Sequence, residues 1–417
     1  MPLMEAAAGL VVAEQVLSTA VEGAVVGTAL AARRTLPLKA TFTRIATSQD
    51  QPSHESLHRI SGTLNVVNGH AYIFGGSTQE SSQAPTAGNE MHIIRISGKY
   101  DTEFDYKCVP ALPSIDGGPI PASRKAHSSA VYNENILVFG GPNEDGRVWS
   151  FSTKTLKWTA RDPSDLRTCQ VSMNQGAVVH GDQFIVHGSA FEAISHLQET
   201  WAFDLNTNTW SHIASLRTEP GQASTKPALV DRTLFSISVQ RDPNREEHAI
   251  WLHYLYLHED GKPTEWQSIK LPVEPSSGPL TYQGSPLIPV HTGMGRHYLL
   301  FQGGRAANSN PKEEEQKSDS ATETGLWVMQ IPSDDRSLAK LKDWVREKFG
   351  RNSGCRQWAE VELKTKWRES EDTVNHPGPR THSAMARVDE KTVLMWCGCY
   401  PGFSDGQGDG WIIKLDG

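Results

Sequence analysis

The sequence predicts an all-β fold in which one four-stranded unit recurs around a closed ring. After Pro37 the chain consists of short β-branched and aromatic runs bounded by Gly, Asn and Pro, which is typical of strands joined by tight turns. Internal repetition and an unpaired strand near each end of the chain support this prediction.

The repeat is most visible as a β-hairpin that occurs six times. Each copy has a strand, a tight turn such as Asn68-Gly69, and a second strand that ends at Gly-Gly or its remnant. Paired glycines suit a sharp turn beside crowded neighbours, because glycine tolerates positive φ and has no side chain to clash. The clear copies are VVNGHAYIFGG (66–76), VYNENILVFGG (131–141) and VVHGDQFIVHGS (178–189), and the weaker ones lie at 229–238, 295–304 and 387–398.

A third strand follows every hairpin, and a fourth follows the first five. The sixth unit ends with GWIIKLDG (410–417) and lacks a fourth strand, whereas ATFTRIATS (40–48) precedes the first hairpin and has no unit of its own. We predict that these two segments pair, which closes a six-bladed β-propeller and removes a free sheet edge. The alternative, an open sandwich with ragged ends, is the weaker interpretation of six copies plus one matching strand.

Four segments complete the predicted organisation. Residues 1–36 form an N-terminal helical segment and residues 37–417 form the propeller. Within blade five, the polar residues 305–324 are predicted to be a flexible loop. Residues 333–349 are predicted to be an inserted helix with one apolar face, packed on the propeller flank.

Composition excludes several function classes. The 417-residue chain has a net charge of −8 and no Lys/Arg run, which argues against nucleic-acid binding. Five cysteines without a CxxC pair favour free thiols in a reducing compartment, so we expect a cytoplasmic protein. Glu5, Glu14 and Glu22 interrupt the Ala/Val-rich start, leaving less than the roughly 20 apolar residues of a membrane span. We also expect no secretory leader there, because the basic residues follow the apolar part.

The glycine-ended hairpins, the later tryptophans and the lead-ins SRKAHSSA (123–130) and PRTHSAM (379–385) resemble the kelch repeat over nearly all of residues 40–417. More narrowly, the chain resembles stand-alone fungal kelch proteins labelled galactose-oxidase-like. That group includes the hetero-Diels–Alderases of tropolone sesquiterpenoid biosynthesis. The resemblance implies a cofactor-independent cycloaddition that joins a tropolone quinone methide to a humulene-type sesquiterpene.

The lead-ins depart from the regular repeat. Gly62 stands at the usual histidine position in the first copy, Gln170 stands there in the third, and the fourth copy has lost Gly-Gly. Irregular lead-ins favour a specialised pocket over a scaffold of equal blades.

Ligands of a propeller normally meet the loops before strand one and after strand two of each blade. These loops supply the predicted site. For Arg124 and His382 the favoured alternative is structural, because their motif recurs and would hydrogen-bond loop backbone. The predicted catalytic residues are Arg124, Gln170, Arg241 and Tyr400; the predicted substrate-binding residues are Gln79, Asn143, Phe191, Tyr282, Arg305, His382 and Phe403.

A hetero-Diels–Alder addition moves no proton, so it requires positioning rather than a catalytic triad. Holding the reactants in contact can lower the barrier by about 7–11 kcal/mol, and a donor on the enone oxygen polarises the electron-poor partner. The expected partners are hydrophobic small molecules, a polyketide-derived quinone methide and a terpene, with homo-oligomerisation left open. A non-catalytic scaffold that binds a protein partner is the alternative.

Metal and nucleotide chemistry are not predicted. A copper radical oxidase would require a Tyr, His and Cys constellation that the sequence does not offer. Cys397 and Cys399 could bind a soft metal, but buried inert thiols are the favoured interpretation. No phosphate-binding glycine motif occurs.

Overall fold

The computed structural model confirms a six-bladed β-propeller. It describes residues 35–47, 57–78, 88–96, 106–141, 146–164, 169, 171–190, 196–219, 222–241, 248–258, 264–271, 284–292, 295–303, 324–332, 338–348, 350, 352–364, 376–396, 398–399 and 408–416. Each predicted hairpin supplies the two inner strands of one blade, and the predicted third and fourth strands follow outward in chain order.

The first three blades are regular antiparallel sheets of four strands. Their order in space equals their order in the chain, as expected for hairpin-connected strands. Blade one contains β2 (Thr63–Val67), β3 (His70–Phe74), β4 (Met91–Arg95) and β5 (Tyr106–Val109); blade two contains β6 (Ser128–Tyr132), β7 (Asn135–Phe139), β8 (Val148–Ser152) and β9 (Lys157–Arg161); blade three contains β10 (Val171–His180), β11 (Gln183–Ala190), β12 (Leu197–Asp204) and β13 (Thr209–Arg217).

Blades four and five follow the same plan, except that the innermost strand of blade four is split. Both of its pieces pair with the same second strand, β16. Blade four contains β14 (Gln222–Ser224), β15 (Ala228–Val230), β16 (Thr233–Arg241), β17 (His248–Tyr256) and β18 (Gln267–Leu271); blade five contains β19 (Leu287–Thr292), β20 (Arg296–Gln302), β21 (Leu326–Gln330) and β22 (Trp358–Glu360).

Blade six closes the ring as predicted. Its strands β24 (Ala384–Arg387), β25 (Thr392–Trp396) and β26 (Asp409–Asp416) are completed by β1 (Lys39–Thr47) from the other end of the propeller. β1 lies antiparallel to β26, with Ala40 opposite Leu415 and a register shift between Arg44 and Ala46. The end of the predicted fourth strand of blade five forms a separate short strand, β23 (Glu362–Leu363), which pairs in parallel with β1 and links blade five to this sheet.

Tryptophans of the fourth strands hold neighbouring blades together. Trp158 of β9 lies 4.9 Å from the ring of Phe74 in blade one, and Trp210 of β13 lies 4.8 Å from Phe139 in blade two. Both tryptophans are 1% exposed. Aromatic pairs at such distances add about 0.5–1.5 kcal/mol each to the free energy of burial. The repeated tryptophan therefore stabilises the contact between blades as well as its own sheet.

The inserted helix α1 (Leu338–Lys348) lies inside the predicted range and packs against blade five. Asp343 of α1 forms an ion pair with Arg296 of β20 at 2.7 Å, and Arg296 also donates to the backbone oxygen of Ala339. Of the predicted N-terminal helical segment 1–36, residues 1–34 lie outside the described residues, and so do residues 305–323 of the predicted flexible loop 305–324. None of the described helical residues forms a segment long and apolar enough to cross a bilayer.

Candidate functional site

The innermost strands of all six blades surround an axial channel with a volume of about 380 Å³. A closed ring leaves this space because each inner strand turns one face towards the axis. The channel is therefore a direct consequence of the pairing between β1 and β26. It is lined by Gly62, Thr63, Leu64, Ser128, Ser129, Val131, Gly176, Ala177, Val178, Val179, Lys226, Pro227, Ala228, Leu229, Pro286, Leu287, Ile288, Pro289, Ala384, Met385 and Arg387.

Most of the channel wall is aliphatic. Its polar side chains are the hydroxyls of Thr63, Ser128 and Ser129 and two cations, Lys226 and Arg387. Neither an aromatic nor an acidic side chain occurs among the described residues that line it. Such a wall favours an apolar guest that has a small number of oxygen atoms, because oxygens accept hydrogen bonds from hydroxyl and ammonium groups.

Lys226 occupies the break between β14 and β15, at the point where blade four departs from the regular repeat. Its backbone N–H donates to the oxygen of Ser285 in blade five at 2.8 Å. Across the channel wall, a Cβ on Gly176 would lie 2.7 Å from the Cβ of Lys226, so glycine is required for this close approach. Burial lowers the pKa of the Lys226 ammonium to about 8, because desolvation disfavours its charged form.

Three arginines precede inner strands at equivalent positions and are buried: Arg59, Arg124 and Arg380. Arg124 donates from Nε to the oxygen of Ala122 at 3.2 Å and from Nη1 to the oxygen of Gly140 at 3.0 Å. Arg380 donates to the oxygen of Pro377 and to the carboxylate of Asp409. These contacts support the structural interpretation of Arg124, whose predicted catalytic role stays a prediction.

His382 and His127 occupy different positions of the repeat, although both belong to the motif. Ser61, Ala126 and His382 each lie two residues before an inner strand and share φ angles of 52° to 55°. The oxygen of His382 accepts from the N–H of Ser61, and the oxygen of Ser61 accepts from the N–H of Ala126. The backbone of His382 therefore belongs to a chain of hydrogen bonds that links blades six, one and two.

His127 lies one residue closer to its inner strand and is fully buried. Its Nε2 is 2.9 Å from the hydroxyl of Thr63, and its ring contacts Phe74 in edge-to-face geometry at 5.4 Å. Burial and, secondarily, the positive charges of Arg124 and Lys226 hold the pKa of His127 well below its usual value. A neutral imidazole in this position links blades one and two rather than exchanging protons with a guest.

The other predicted site residues stay predictions. Arg241 ends β16 opposite His248, and its side chain lies outside the described residues. Lys226 was not predicted, because the lead-in TKPALV of the weak fourth repeat has no motif arginine or histidine to mark it. Outside the described residues lie Gln79, Asn143, Gln170, Phe191, Tyr282, Arg305, Tyr400 and Phe403.

The described residues contain no group of three or more His, Cys, Asp or Glu side chains placed to hold a metal ion. Cys399 is buried with its sulfur 3.0 Å from the hydroxyl of Thr381. Cys397 lies outside the described residues, so the favoured interpretation of the two cysteines as buried inert thiols, and its soft-metal alternative, stay predictions.

Residues 37–238 match the family model described as the KLHDC2/KLHL20/DRC7 Kelch-repeats domain. This segment contains the closing strand, the first three blades and the start of the fourth. The fold is a kelch-type β-propeller. The kelch repeat inferred from the glycine-ended hairpins is thus confirmed.

Curated relatives are similar over about a third of this kelch propeller. The host cell factor homolog hcf-1 of Caenorhabditis elegans is 27% identical over 139 residues, which cover 30% of this chain and 17% of that protein. Kelch domain-containing protein 3 of Bos taurus is 24% identical over 153 residues, which cover 36% of this chain and 37% of that protein. The matches thus span well under half of these relatives.

Among solved structures, the one titled Structure of YjhT covers 86% of this chain and is 97% covered itself, with 14% identity and a TM-score of 0.49. A protein of unknown function from Dyadobacter fermentans covers 90% of this chain, with 11% identity and a TM-score of 0.46.

Proposed function

We propose that this kelch propeller is a small-molecule enzyme whose reaction chamber is the axial channel. The reaction that we propose is the hetero-Diels–Alder addition of a tropolone quinone methide to a humulene-type sesquiterpene. The observation that carries this proposal is an open channel with an aliphatic wall, whose volume of about 380 Å³ lies within the usual range of ligand sites.

The channel wall suits a reaction that depends on positioning. Cycloaddition forms its new C–C and C–O bonds in one step from the π electrons of the two reactants, so no nucleophile or proton carrier is needed. The side chains of Val178, Leu229 and Ile288 offer apolar contact to a terpene and exclude water that would trap a quinone methide. A hydrogen-bond donor on the channel wall would polarise the enone oxygen. Lys226, which lies just before β15, is a charged donor in such a position.

The test is to incubate the purified protein with a quinone methide precursor and humulene and to measure the yield and stereochemistry of the adduct. We expect wild type to raise the yield and to give one stereoisomer. Val131 is 37% exposed and lines the channel, so Val131→Trp should fill the chamber and reduce the yield at least tenfold. Ile115→Trp, at a 75% exposed position outside the channel lining, is the matched control and should retain wild-type yield. Yield and stereochemistry equal to those in buffer would refute the proposal.

A second candidate function is a scaffold that binds a protein partner. It is favoured by exposed apolar side chains in the segment between β5 and β6, where Leu112 is 46%, Ile115 is 75% and Ile120 is 41% exposed. Exposed apolar groups that cluster in one segment are typical of contact surfaces. The relatives named above include kelch domain-containing protein 3.

Affinity capture from the native host distinguishes the scaffold from the enzyme. A scaffold should retain a defined partner that Ile115→Asp releases and Val131→Trp leaves bound. If neither variant releases the partner, the segment between β5 and β6 is not the contact surface.

A further inference from the structure

We propose that the axial channel binds a small organic carboxylate and that Lys226 is the residue that holds the carboxylate oxygens. This inference goes beyond the cycloaddition, because it concerns the affinity of the channel for an anionic guest whether or not a reaction follows.

The wall of the channel carries positive charge. Its described lining residues include two cations, Lys226 and Arg387, and no acidic side chain. The whole chain carries a net charge of −8, so a positive channel is a local feature. A cleft or channel lined by one sign of charge attracts ligands of the opposite sign.

Lys226 differs from the paired lysines on the outer surface. Lys39 and Lys364 form ion pairs at 3.7 and 2.7 Å with Glu362 and Asp416, and their side chains are 59% and 53% exposed. Lys226 has no carboxylate partner among the described residues, although it is mostly withdrawn from solvent. Desolvated charges are stable when they are paired, so a bound carboxylate would supply the interaction that the chain itself does not.

The backbone of Lys226 is held in a fixed position. Its backbone N–H is hydrogen-bonded to Ser285, and Pro227 restricts the backbone conformation of Lys226, the residue before it, so the side chain starts from a defined point on the wall. Gly176 leaves space for its first carbons. A donor held in this way loses little conformational entropy when a ligand binds, which favours affinity.

Proton uptake is a signature of this arrangement. Desolvation holds the pKa of the free Lys226 ammonium at about 8, and a bound carboxylate favours the charged form and raises that pKa. Binding at pH 8.5, where much of the amine is neutral, should therefore take up protons, and affinity should fall as pH rises past 8. His127 stays neutral over this range, because burial and the nearby positive charges of Arg124 and Lys226 hold its pKa well below the usual value.

The test uses octanoate as the probe and octanamide as its uncharged counterpart, with isothermal titration of the full chain at pH 7.0 and 8.5 in two buffers of different ionisation enthalpy. We expect saturable octanoate binding that is at least tenfold tighter than octanamide binding, with net proton uptake at pH 8.5. Lys226→Met should weaken octanoate binding 10- to 100-fold, and Lys226→Arg should restore most of it. Lys107→Met, on an exposed position of β5, is the matched control and should bind as wild type does.

Three outcomes would overturn the proposal: no saturable binding of octanoate, equal binding of octanamide, or equal weakening by Lys107→Met and Lys226→Met. If Lys226→Met fails to fold, the proton uptake of wild type and the octanoate affinity of Lys226→Arg still show whether Lys226 binds the carboxylate. Binding of octanoate without adduct formation would refute the cycloaddition alone, and adduct formation without octanoate binding would refute this inference alone.

Discussion

Arg380 and Asp409 form a buried bidentate ion pair, with Nη1 3.0 Å from Oδ1 and Nη2 2.8 Å from Oδ2. Arg380 precedes the inner strand of blade six, and Asp409 is the first residue of β26, the strand that receives β1. Trp411 Nε1 donates to the same carboxylate at 2.7 Å. The pair therefore fixes the start of the strand through which the two ends of the propeller meet.

Arg380→Met is expected to lower the free energy of unfolding by about 3–5 kcal/mol, because it leaves the buried carboxylate of Asp409 without its counter-ion. The matched control is Lys154→Met, since Lys154 pairs with Glu134 at 2.8 Å while its side chain is 77% exposed. That change should have little effect on stability, because solvent screens an exposed ion pair. Urea unfolding followed by tryptophan fluorescence measures both, and similar losses would contradict the argument from burial.

Closure of the ring should depend on the core-facing side chains of β26. Ile413 is 0% exposed, lies opposite Phe42 of β1 and packs with Val393 and Met395. Ile413→Ala should lower the free energy of unfolding by about 2–5 kcal/mol, since it removes buried methyl groups and leaves a cavity. Lys414→Ala, on the exposed face of the same strand, should change it by less than about 0.5 kcal/mol. An equal effect of the two changes would argue against this face as the core.

The blades were predictable from sequence because their information is local. The turn at Asn68-Gly69 and the alternation of apolar residues fix each hairpin within about ten residues of chain. Counting strands then predicted the long-range pairing of β1 with β26, because β26 alone lacked an outer neighbour.

The channel was less predictable because its lining depends on how neighbouring blades fit together. Lys226 lies on the channel wall where the inner strand of blade four is divided into β14 and β15. This position depends on the pairing of both pieces with β16 and on the contact with Gly176. His382 resembles His127 in the motif, yet the backbone places it level with Ala126. Short motifs do not encode such shifts of one residue, because these depend on contacts between blades.

The first glycine of the Gly-Gly pair is expected to be much less replaceable than a turn glycine. Gly75 has φ +64°, and a Cβ there would meet the backbone oxygen of Arg124 and lie 2.7 Å from Cε1 of His127. Gly69 has φ +73°, and a Cβ there would have no atom within 4 Å. Gly69→Ala should therefore cost only the left-handed backbone strain of about 1–2 kcal/mol, and Gly75→Ala should cost clearly more. Thermal unfolding of the two variants compares them, and equal melting temperatures would refute the close approach of blades one and two.

Buried neutral histidines should make the propeller less stable in mild acid. Burial lowers the pKa of His187 and of His253 to about 4, and their ring nitrogens contact Gln198 and Ser238 at 2.8 and 2.7 Å. Between pH 6.5 and pH 4 the unfolded chain binds more protons than the native one, so stability is fully present above pH 6.5 and falls as pH falls. Each histidine contributes about 3 kcal/mol to this loss.

Urea unfolding at half-unit steps from pH 7.5 to pH 5 measures that slope. The double variant His187→Gln, His253→Gln should be less stable than wild type at pH 7.5, because it alters two buried hydrogen-bonded side chains, but its stability should depend less steeply on pH. A wild-type free energy of unfolding that stays constant over this range would show that these two imidazoles are protonated as readily in the folded propeller as in the unfolded chain.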